Sequence, residues 1–160
     1  MSPSPTLRTW PNVAPGQKIA TWTETPTNVD LFVLGVAYWT THRIHYDEKW
    51  ARQEGYPGVV ITGVLMYGWI ERTLITWAGS PDRIHRFRFR HIGLACVGDT
   101  LQISLTANEV HPGSDHGEVH VGISITKEPD GQRILEGTAI LRLPTAIAEE
   151  PSPNNKHAAG

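Results

Sequence analysis

Two histidines lie three residues apart in the stretch HRIHYD at positions 42–47, between two segments that we predict to be helices. Imidazoles titrate near neutral pH, so a histidine on a loop is suited to proton transfer. The spacing of His42, His45 and Asp47 also allows a facial set of metal ligands. In a third interpretation Asp47 caps the next helix and the histidines are surface residues. The spacing alone leaves these interpretations open.

Gly63 is the second candidate, because it precedes the strongest helical pattern of the chain, residues 64–77. The N–H groups at the start of a helix lack partners inside it and carry partial positive charge. They can polarise a thioester carbonyl and stabilise an enolate. Alternatively, Gly63 serves only to make a tight turn into the helix.

Three arginines form the third group. Arg86, Arg88 and Arg90 alternate along a predicted strand and share one face. They form either an ordinary polar strand face or a binding site for the phosphates of coenzyme A or a phosphopantetheine carrier. The chain as a whole has 14 basic and 16 acidic side chains. This balance excludes a global basic field for binding nucleic acid.

The single cysteine, Cys96, lies among apolar neighbours. It cannot form an intramolecular disulfide, and we predict an inert, packed thiol in a reducing compartment. No apolar run is long enough to cross a bilayer, and the first residues lack a signal-peptide pattern. The expected location is therefore the cytoplasm, without membrane contact.

The elements that position these residues follow from hydrophobic periodicity. Residues 18–24 alternate as a strand, and an apolar helix begins near Val29, capped by Thr27 or Asn28. This helix is apolar almost all round, which predicts that it is buried. A short helix spans 48–54, residues 59–61 form a short buried segment, and helix 64–77 follows. Four strand candidates come last: 84–92, 100–110, 118–127 and 133–143.

This order predicts an α+β fold in which an antiparallel sheet wraps around one central helix, residues 64–77. The proline-rich residues 1–16 are expected to form an extended or loosely held arm. Residues 145–160, rich in Pro, Asn, Ala and Glu, are expected to be a disordered tail. The folded domain then covers residues 17–144.

The stretch YWTTHRIHYDEKWARQEGYPGVVITGVL resembles the hydratase segment of MaoC-like hot-dog dehydratases. The usual pattern there is Asp-x-Asn-Pro-x-His-x-Asp, followed by a helix alanine and a His-Gly pair before the central helix. His45 matches the motif histidine, Asp47 the second aspartate, Ala51 the alanine and Gly63 the glycine. HRIHYD, GYPG and FRFRHIGLACVGDTL resemble most closely the branch with mitochondrial hydroxyacyl-thioester dehydratases and mesaconyl-CoA hydratases. The resemblance covers roughly residues 17–143.

The resemblance implies a hot-dog fold that works as a dimer or an oligomer of dimers, without a cofactor. It implies that water adds to an α,β-unsaturated thioester or leaves a 3-hydroxyacyl thioester, linked to coenzyme A or a carrier protein. In the family, the histidine and the first aspartate handle the water, and the glycine N–H holds the thioester oxygen.

Three departures from the family pattern matter. The first aspartate falls on Thr40, the Asn and Pro positions on His42 and Arg43, and Thr62 precedes Gly63. A threonine is no carboxylate base, so we expect His45 to act as the base and His42 or Thr40 to position water. The expected substrate contacts are Thr62, Tyr46, Arg88 and Arg90.

Two alternatives to a hydratase or dehydratase stay open at this point. Thr40 favours a non-catalytic subunit that binds acyl thioester or completes a heterodimer. The other alternative is a repurposed hot-dog enzyme, either a thioesterase that uses Glu71 on the central helix or an isomerase or cyclase of secondary metabolism.

Overall fold

The computed structural model describes residues 8–146. Strand β1 (Gln17–Glu24) and helix α1 (Asn28–Tyr38) come first, and a short helix α2 (Glu48–Gln53) precedes the long helix α3 (Gly63–Ala78). The remaining strands are β2 (Ile84–His91), β3 (Leu101–His111), β4 (His116–Lys127) and β5 (Gln132–Pro144). They form one antiparallel sheet in the order β1-β3-β4-β5-β2. No helix within residues 8–146 is both long and apolar enough to cross a membrane.

Helix α3 packs on one face of this sheet, as the alternation of the strands requires. Residues 101, 103, 105 and 107 of β3 are buried, while the residues between them are more exposed. Met66, Ile70 and Leu74 follow one another at intervals of four residues on α3, and each is at most 2% exposed. These side chains and those of the sheet form one core. The predicted α+β layout around a central helix is therefore confirmed, with α3 one residue longer at each end.

Helix α1 begins where the sequence predicts, but it is not buried. Thr27 accepts a hydrogen bond from the Asp30 N–H, and the Asp30 carboxylate accepts one from the Thr27 N–H, which is a capping box. Leu31 is the one buried residue of the helix. Phe32 and Val36 are 66% and 64% exposed. The expectation of a buried helix is wrong for the single chain, because no second element of residues 8–146 covers its outer side.

The described part of the N-terminal segment lies against the domain. Val13 is 7% exposed, and the Trp10 ring packs directly on Gly117 of β4. The Arg8 guanidinium lies 4.9 Å from the Trp77 ring centroid. These contacts place the segment around Trp10 and Val13 against the domain, because apolar side chains gain free energy from burial. The extended or loosely held arm expected for residues 1–16 stays a prediction. Residues 1–7 and, within the predicted tail, residues 147–160 lie outside the described part of the chain.

Cys96 is free and buried. Burial is the main cause that raises the pKa of its thiol above the ordinary value. The thiol is therefore packed, as predicted, and the raised pKa favours its protonated form, while its inertness stays a prediction.

Candidate active site

The His45 loop is held by the backbone of Val60. The Val60 N–H donates to the Ile44 carbonyl oxygen (2.9 Å), and the Val60 carbonyl oxygen lies 2.8 Å from His45 Nδ1. A carbonyl oxygen only accepts, so His45 Nδ1 is the donor and carries the hydrogen. In the neutral ring, Nε2 then keeps its lone pair and is the nitrogen that takes up a proton. The contact with Val60 thus fixes both the orientation and the tautomer of His45.

The segment around Val60 is itself fixed by a second stretch of chain. The Ile61 N–H donates to the Ala95 carbonyl oxygen (2.9 Å), and the Val97 N–H donates to the Val59 carbonyl oxygen (2.8 Å). Residues 59–61 are only 4–8% exposed. Hydrogen bonds in such apolar surroundings are strong and costly to break. His45 is therefore anchored to the core of the domain.

A cavity of about 480 Å³ opens beside His45. Its apolar wall comes mainly from α1, and its polar groups come from the loop after α1 and from the residue before α3. The lining residues are Leu31, Phe32, Gly35, Val36, Trp39, Thr40, Thr41, His45, Tyr46 and Thr62. None of these described lining residues is a carboxylate. The arrangement suits an apolar ligand with one polar end.

Trp39 shapes this cavity through its backbone. The residue has φ +54° and ψ +40°, which is the left-handed conformation, and it ends α1. This conformation costs a bulky residue about 1–2 kcal/mol. The next N–H, that of Thr40, donates to the Gly35 carbonyl oxygen (3.1 Å). The strained turn therefore brings Thr40 to the cavity and leaves the Trp39 side chain exposed.

The predicted site residues divide into those at the cavity and those outside it. Thr40, His45, Tyr46 and Thr62 line it, and Gly63 follows Thr62 as the first residue of α3. His42 is exposed and does not line the cavity, although its ring lies edge-on to that of His45 with centroids 5.9 Å apart. Glu71 is exposed on α3 and also lies outside the lining. The geometry favours Thr40 over His42 as the neighbour of a molecule in the cavity.

Arg88 and Arg90 lie at a different place in the chain. With Phe89 and residues 136–138 they line a shallow depression between β2 and β5. Arg90 forms an ion pair with Glu136, whereas Arg88 has no ion pair within residues 8–146. Inside one chain, the structure does not bring these arginines to the His45 cavity.

Asp47 has a structural role. Its Oδ1 accepts from the Trp50 N–H (3.0 Å) and caps α2, and its Oδ2 accepts from Arg43 Nη2 (2.6 Å). The hydrogen bond from Trp50, followed by that from Arg43, holds the pKa of Asp47 below its usual range. With Asp47 engaged in this way, and His45 Nδ1 bonded to Val60, the described residues do not form the His42–His45–Asp47 metal set.

The first turn of α3 lies against a tyrosine–histidine pair. Tyr67 Oη lies 2.5 Å from His91 Nε2, and the Tyr67 ring stacks on Phe89. Partial burial raises the pKa of Tyr67 and lowers that of His91, so both are neutral near pH 7. A Cβ on Gly63 would lie 2.6 Å from His91 Nε2 and 2.8 Å from Tyr67 Oη. Only glycine fits there without displacing the pair.

The N–H group of Gly63 has no partner inside the helix. It is the first amide of α3 and donates to no acceptor among residues 8–146. The side chain of the preceding residue, Thr62, makes no capping hydrogen bond either. A carbonyl oxygen at this helix end would meet a free donor and the positive end of the helix dipole.

Sequence reasoning missed the Tyr67–His91 pair. The two residues lie 24 positions apart, on α3 and at the end of β2. The one local signal was the spacing of four residues between Gly63 and Tyr67, which places them on the same face of a helix. Nothing in the sequence shows that β2 ends beside that face.

An antiparallel sheet packed on one central helix defines the hot-dog class, and solved structures confirm the fold. The R-hydratase PhaJ1 of Pseudomonas aeruginosa has a TM-score of 0.74 and 19% identity, over 89% of this chain and 93% of that chain. A chain of the ChsH1-ChsH2 complex of Mycobacterium tuberculosis has a TM-score of 0.68 and 18% identity, over 81% of this chain and 98% of that chain. The MaoC-like dehydratase of Rhodospirillum rubrum has a TM-score of 0.70 and 16% identity, over 86% of this chain and 97% of that chain.

The amino-acid sequence also identifies the family of the chain. The hydroxyacyl-thioester dehydratase type 2 family matches residues 3–97, more than half of the 160-residue chain. The chain therefore belongs to this family, as the resemblance of the HRIHYD segment predicted. No curated protein matches it.

Two glycines of α3 allow a matched test of the close packing at the helix start. At Gly68 a Cβ would meet no atom within 4 Å. We expect Gly68→Ala to raise the free energy of unfolding by about 0.5–1 kcal/mol, because alanine favours helix. Gly63→Ala should lower it by about 1–3 kcal/mol through overpacking against Tyr67 and His91. Urea unfolding measures both, and equal effects would contradict the packing described.

Asp47→Asn tests the charge of Asp47, because asparagine keeps the helix cap and loses the ion pair with Arg43. The pKa of Asp47 is lowered in the folded state. Its charge therefore stabilises the fold at pH values above the pKa of the unfolded chain, about 3.9. This contribution is lost as pH falls through the lower folded value. At pH 7 the urea midpoint of the wild type should be higher than that of Asp47→Asn, and in acid the two midpoints should converge. A difference that is independent of pH would show that the charge has no role.

Proposed function

We propose that this protein adds water to an α,β-unsaturated acyl thioester, or removes water from a 3-hydroxyacyl thioester, with His45 as the proton carrier. One observation carries the proposal: the bond from His45 Nδ1 to Val60 leaves Nε2 as the basic nitrogen of a residue that lines a mostly apolar cavity. Membership of the hydroxyacyl-thioester dehydratase type 2 family supports the thioester as the reacting group.

The proposed reaction uses His45 twice. Nε2 removes a proton from water while the water oxygen bonds to Cβ, and the electrons of the double bond move onto the thioester oxygen. The Gly63 N–H at the start of α3 stabilises this enolate. The imidazolium then returns its proton to Cα, so that one H and one OH have been added. Dehydration is the reverse sequence.

The other cavity residues would position the reactants. The Thr40 hydroxyl can orient the water, since it both donates and accepts hydrogen bonds. Tyr46 and Thr62 would contact the substrate near the thioester, and the α1 wall around Phe32 and Val36 would cover the acyl chain. His42, outside the lining, would act only through its edge contact with the His45 ring.

The carrier of the acyl group is proposed to be coenzyme A or an acyl carrier protein. Arg88 is the better phosphate ligand of the two predicted arginines, because Arg90 is already paired with Glu136. Either the pantetheine arm reaches β2, or Arg88 comes from a second copy of the chain. The exposed apolar side of α1 supports a dimer, since patches of this kind mark association surfaces. A cytoplasmic location stays a prediction from the sequence.

His45→Ala tests the proposed function directly. We expect kcat/KM for hydration of crotonyl-CoA to fall by about 10²–10⁴-fold, the usual contribution of an acid–base residue. Loss of the enoyl absorbance follows the reaction. His85→Ala, which changes an exposed histidine of β2 away from the cavity, is the matched control and should keep wild-type activity. Full activity in His45→Ala would exclude His45 as the proton carrier.

A second function is favoured by the absence of carboxylates among the described lining residues of the cavity. Thr40 stands where the MaoC-like pattern has its first aspartate. The chain would then be a subunit that binds acyl thioester while a partner supplies the acid. The similar ChsH1-ChsH2 structure is itself a complex of two differently named chains.

Two substitutions at Thr40 separate these candidates. If the chain is a complete enzyme that orients water through Thr40, Thr40→Val should lower its hydration rate at least about tenfold, because the hydroxyl is lost. If it is a subunit without its acid, the isolated wild type should be inactive and Thr40→Asp should gain activity. Both outcomes are measured with the crotonyl-CoA assay. An active wild type that is unaffected by Thr40→Val would leave Thr40 without a catalytic role.

A further inference from the structure

A second group of ionisable side chains lies on the β3–β4 hairpin and shares no residue with the His45 cavity. It contains Glu109 and His111 of β3 and Glu118 and His120 of β4. The strand register places Glu109 opposite His120 and His111 opposite Glu118. Opposite residues of an antiparallel pair point to one face, and so do residues two apart. All four side chains therefore stand on the same face of the hairpin.

A β-bulge creates this arrangement. The register of β3 against β4 shifts between Ala107 and Glu109. Before the shift, the odd-numbered residues of β3 face the core, and Ala107 is fully buried. After it, Val110 packs against the core, while Glu109 and His111 are exposed. Without the register shift, regular alternation through Asn108 would turn Glu109 towards the core.

The distances within the group are close to those of a metal site. Glu109 Oε2 lies 3.0 Å from His111 Nε2 and 3.9 Å from His120 Nδ1. All three ligand atoms lie within 4.8 Å of one another. A tetrahedral ion with bonds of about 2.0–2.1 Å separates its ligands by roughly 3.3 Å. Glu109 and His111 are 63% and 54% exposed, so small side-chain rotations bring the atoms to this spacing.

The second nitrogen of His120 is an independent observation. His120 Nε2 is shielded from solvent and has no hydrogen-bond partner among the described residues, although Glu118 Oε2 lies 3.7 Å away. Arg142 Nε holds the other oxygen of Glu118 at 3.0 Å. A metal-bound histidine normally donates its free N–H to a carboxylate. An ion on Nδ1 would fix the proton on Nε2, facing Glu118.

We propose that Glu109, His111 and His120 bind a divalent transition-metal ion, with Glu118 as the carboxylate that orients His120. Two imidazole nitrogens and one carboxylate oxygen suit Zn²⁺ or Co²⁺ better than Mg²⁺ or Ca²⁺, which prefer oxygen ligands alone. Arg86 lines the depression beside Glu109 and His120, and Arg142 contacts Glu118. The two carboxylates balance these two cations. The bound ion would join β3 to β4 and stabilise the hairpin by binding the folded chain.

Titration with Co²⁺ tests the site in the full chain after treatment with a chelator. Visible absorption reports Co²⁺ binding, and displacement by Zn²⁺ reports the affinity for zinc. We expect one ion per chain, with affinity lowered at least about tenfold in His111→Ala and in His120→Ala. Glu118→Gln should weaken binding by about 10–100-fold. His116→Ala, a histidine at the start of β4 outside the group, is the matched control and should bind as wild type does.

Two results would overturn the proposal: equal Co²⁺ affinity in wild type and His120→Ala, or a loss in His116→Ala as large as in His111→Ala. The NMR spectrum of the wild-type chain gives a check that does not depend on how a variant folds. Zn²⁺ should shift amide signals mainly within residues 109–120, and shifts centred elsewhere would refute the site. His45→Ala should bind the ion unchanged, which keeps this test separate from the thioester reaction.

Discussion

The peptide group of Val60 joins the chemistry of this protein to its core. Its N–H and its carbonyl both face the 43–45 turn, so they hold the loop and the imidazole together. Three residues later the same segment becomes the first turn of α3. One end of this short buried stretch therefore holds the base, and its other end carries the first amide of α3. Any shift of this stretch moves both groups, because the interior transmits displacement instead of absorbing it.

The cavity has one rigid side and one open side. His45 and Thr62 stand on parts of the chain that are tied to the sheet and α3, whose core residues have almost no exposure. The opposite wall is α1, which is exposed over most of its surface. Groups that transfer protons require fixed geometry, whereas an apolar chain is bound without directional contacts. The rigid side of the cavity therefore carries the groups for proton transfer, and the exposed α1 side offers the apolar surface.

Much of the fold could be predicted from the sequence, because local patterns specify it. Alternating side chains gave the strands, and the spacing of Met66, Ile70 and Leu74 gave the central helix. The burial of α1 was predicted wrongly. An apolar pattern shows that burial of the helix is favourable, but it does not show whether the same chain provides the buried contacts. Of the two caps that the local signal allowed, Thr27 and Asn28, the structure has Thr27.

The candidate site could be predicted only in part. The spacing of the histidines identified the loop, the helical pattern identified Gly63, and the family resemblance matched His45 and Gly63 to its motif. The contact of His45 with Val60 and the Tyr67–His91 pair join positions 15 and 24 residues apart. Such contacts depend on how the elements pack, which spacing along the chain does not encode. The bulge after Ala107 was equally invisible, because it alters the alternation by only one residue.

That bulge makes the two faces of the outer hairpin depend on how Asn108 is accommodated, and not on the length of the turn at the tip. Deletion of Asn108 would leave Glu109 opposite His120 as it is now, whereas regular pairing of β3 with Asn108 kept in the ladder would push a carboxylate and an imidazole towards the apolar interior and turn Val110 out to water. Burial of unpaired charge and loss of apolar contact would then act together. A residue gained or lost in the 112–115 turn would leave the pairing register of β3 and β4 unchanged. The tip of this hairpin can therefore change in length, whereas the outer part of β3 keeps its two faces only while Asn108 stays outside the regular pairing.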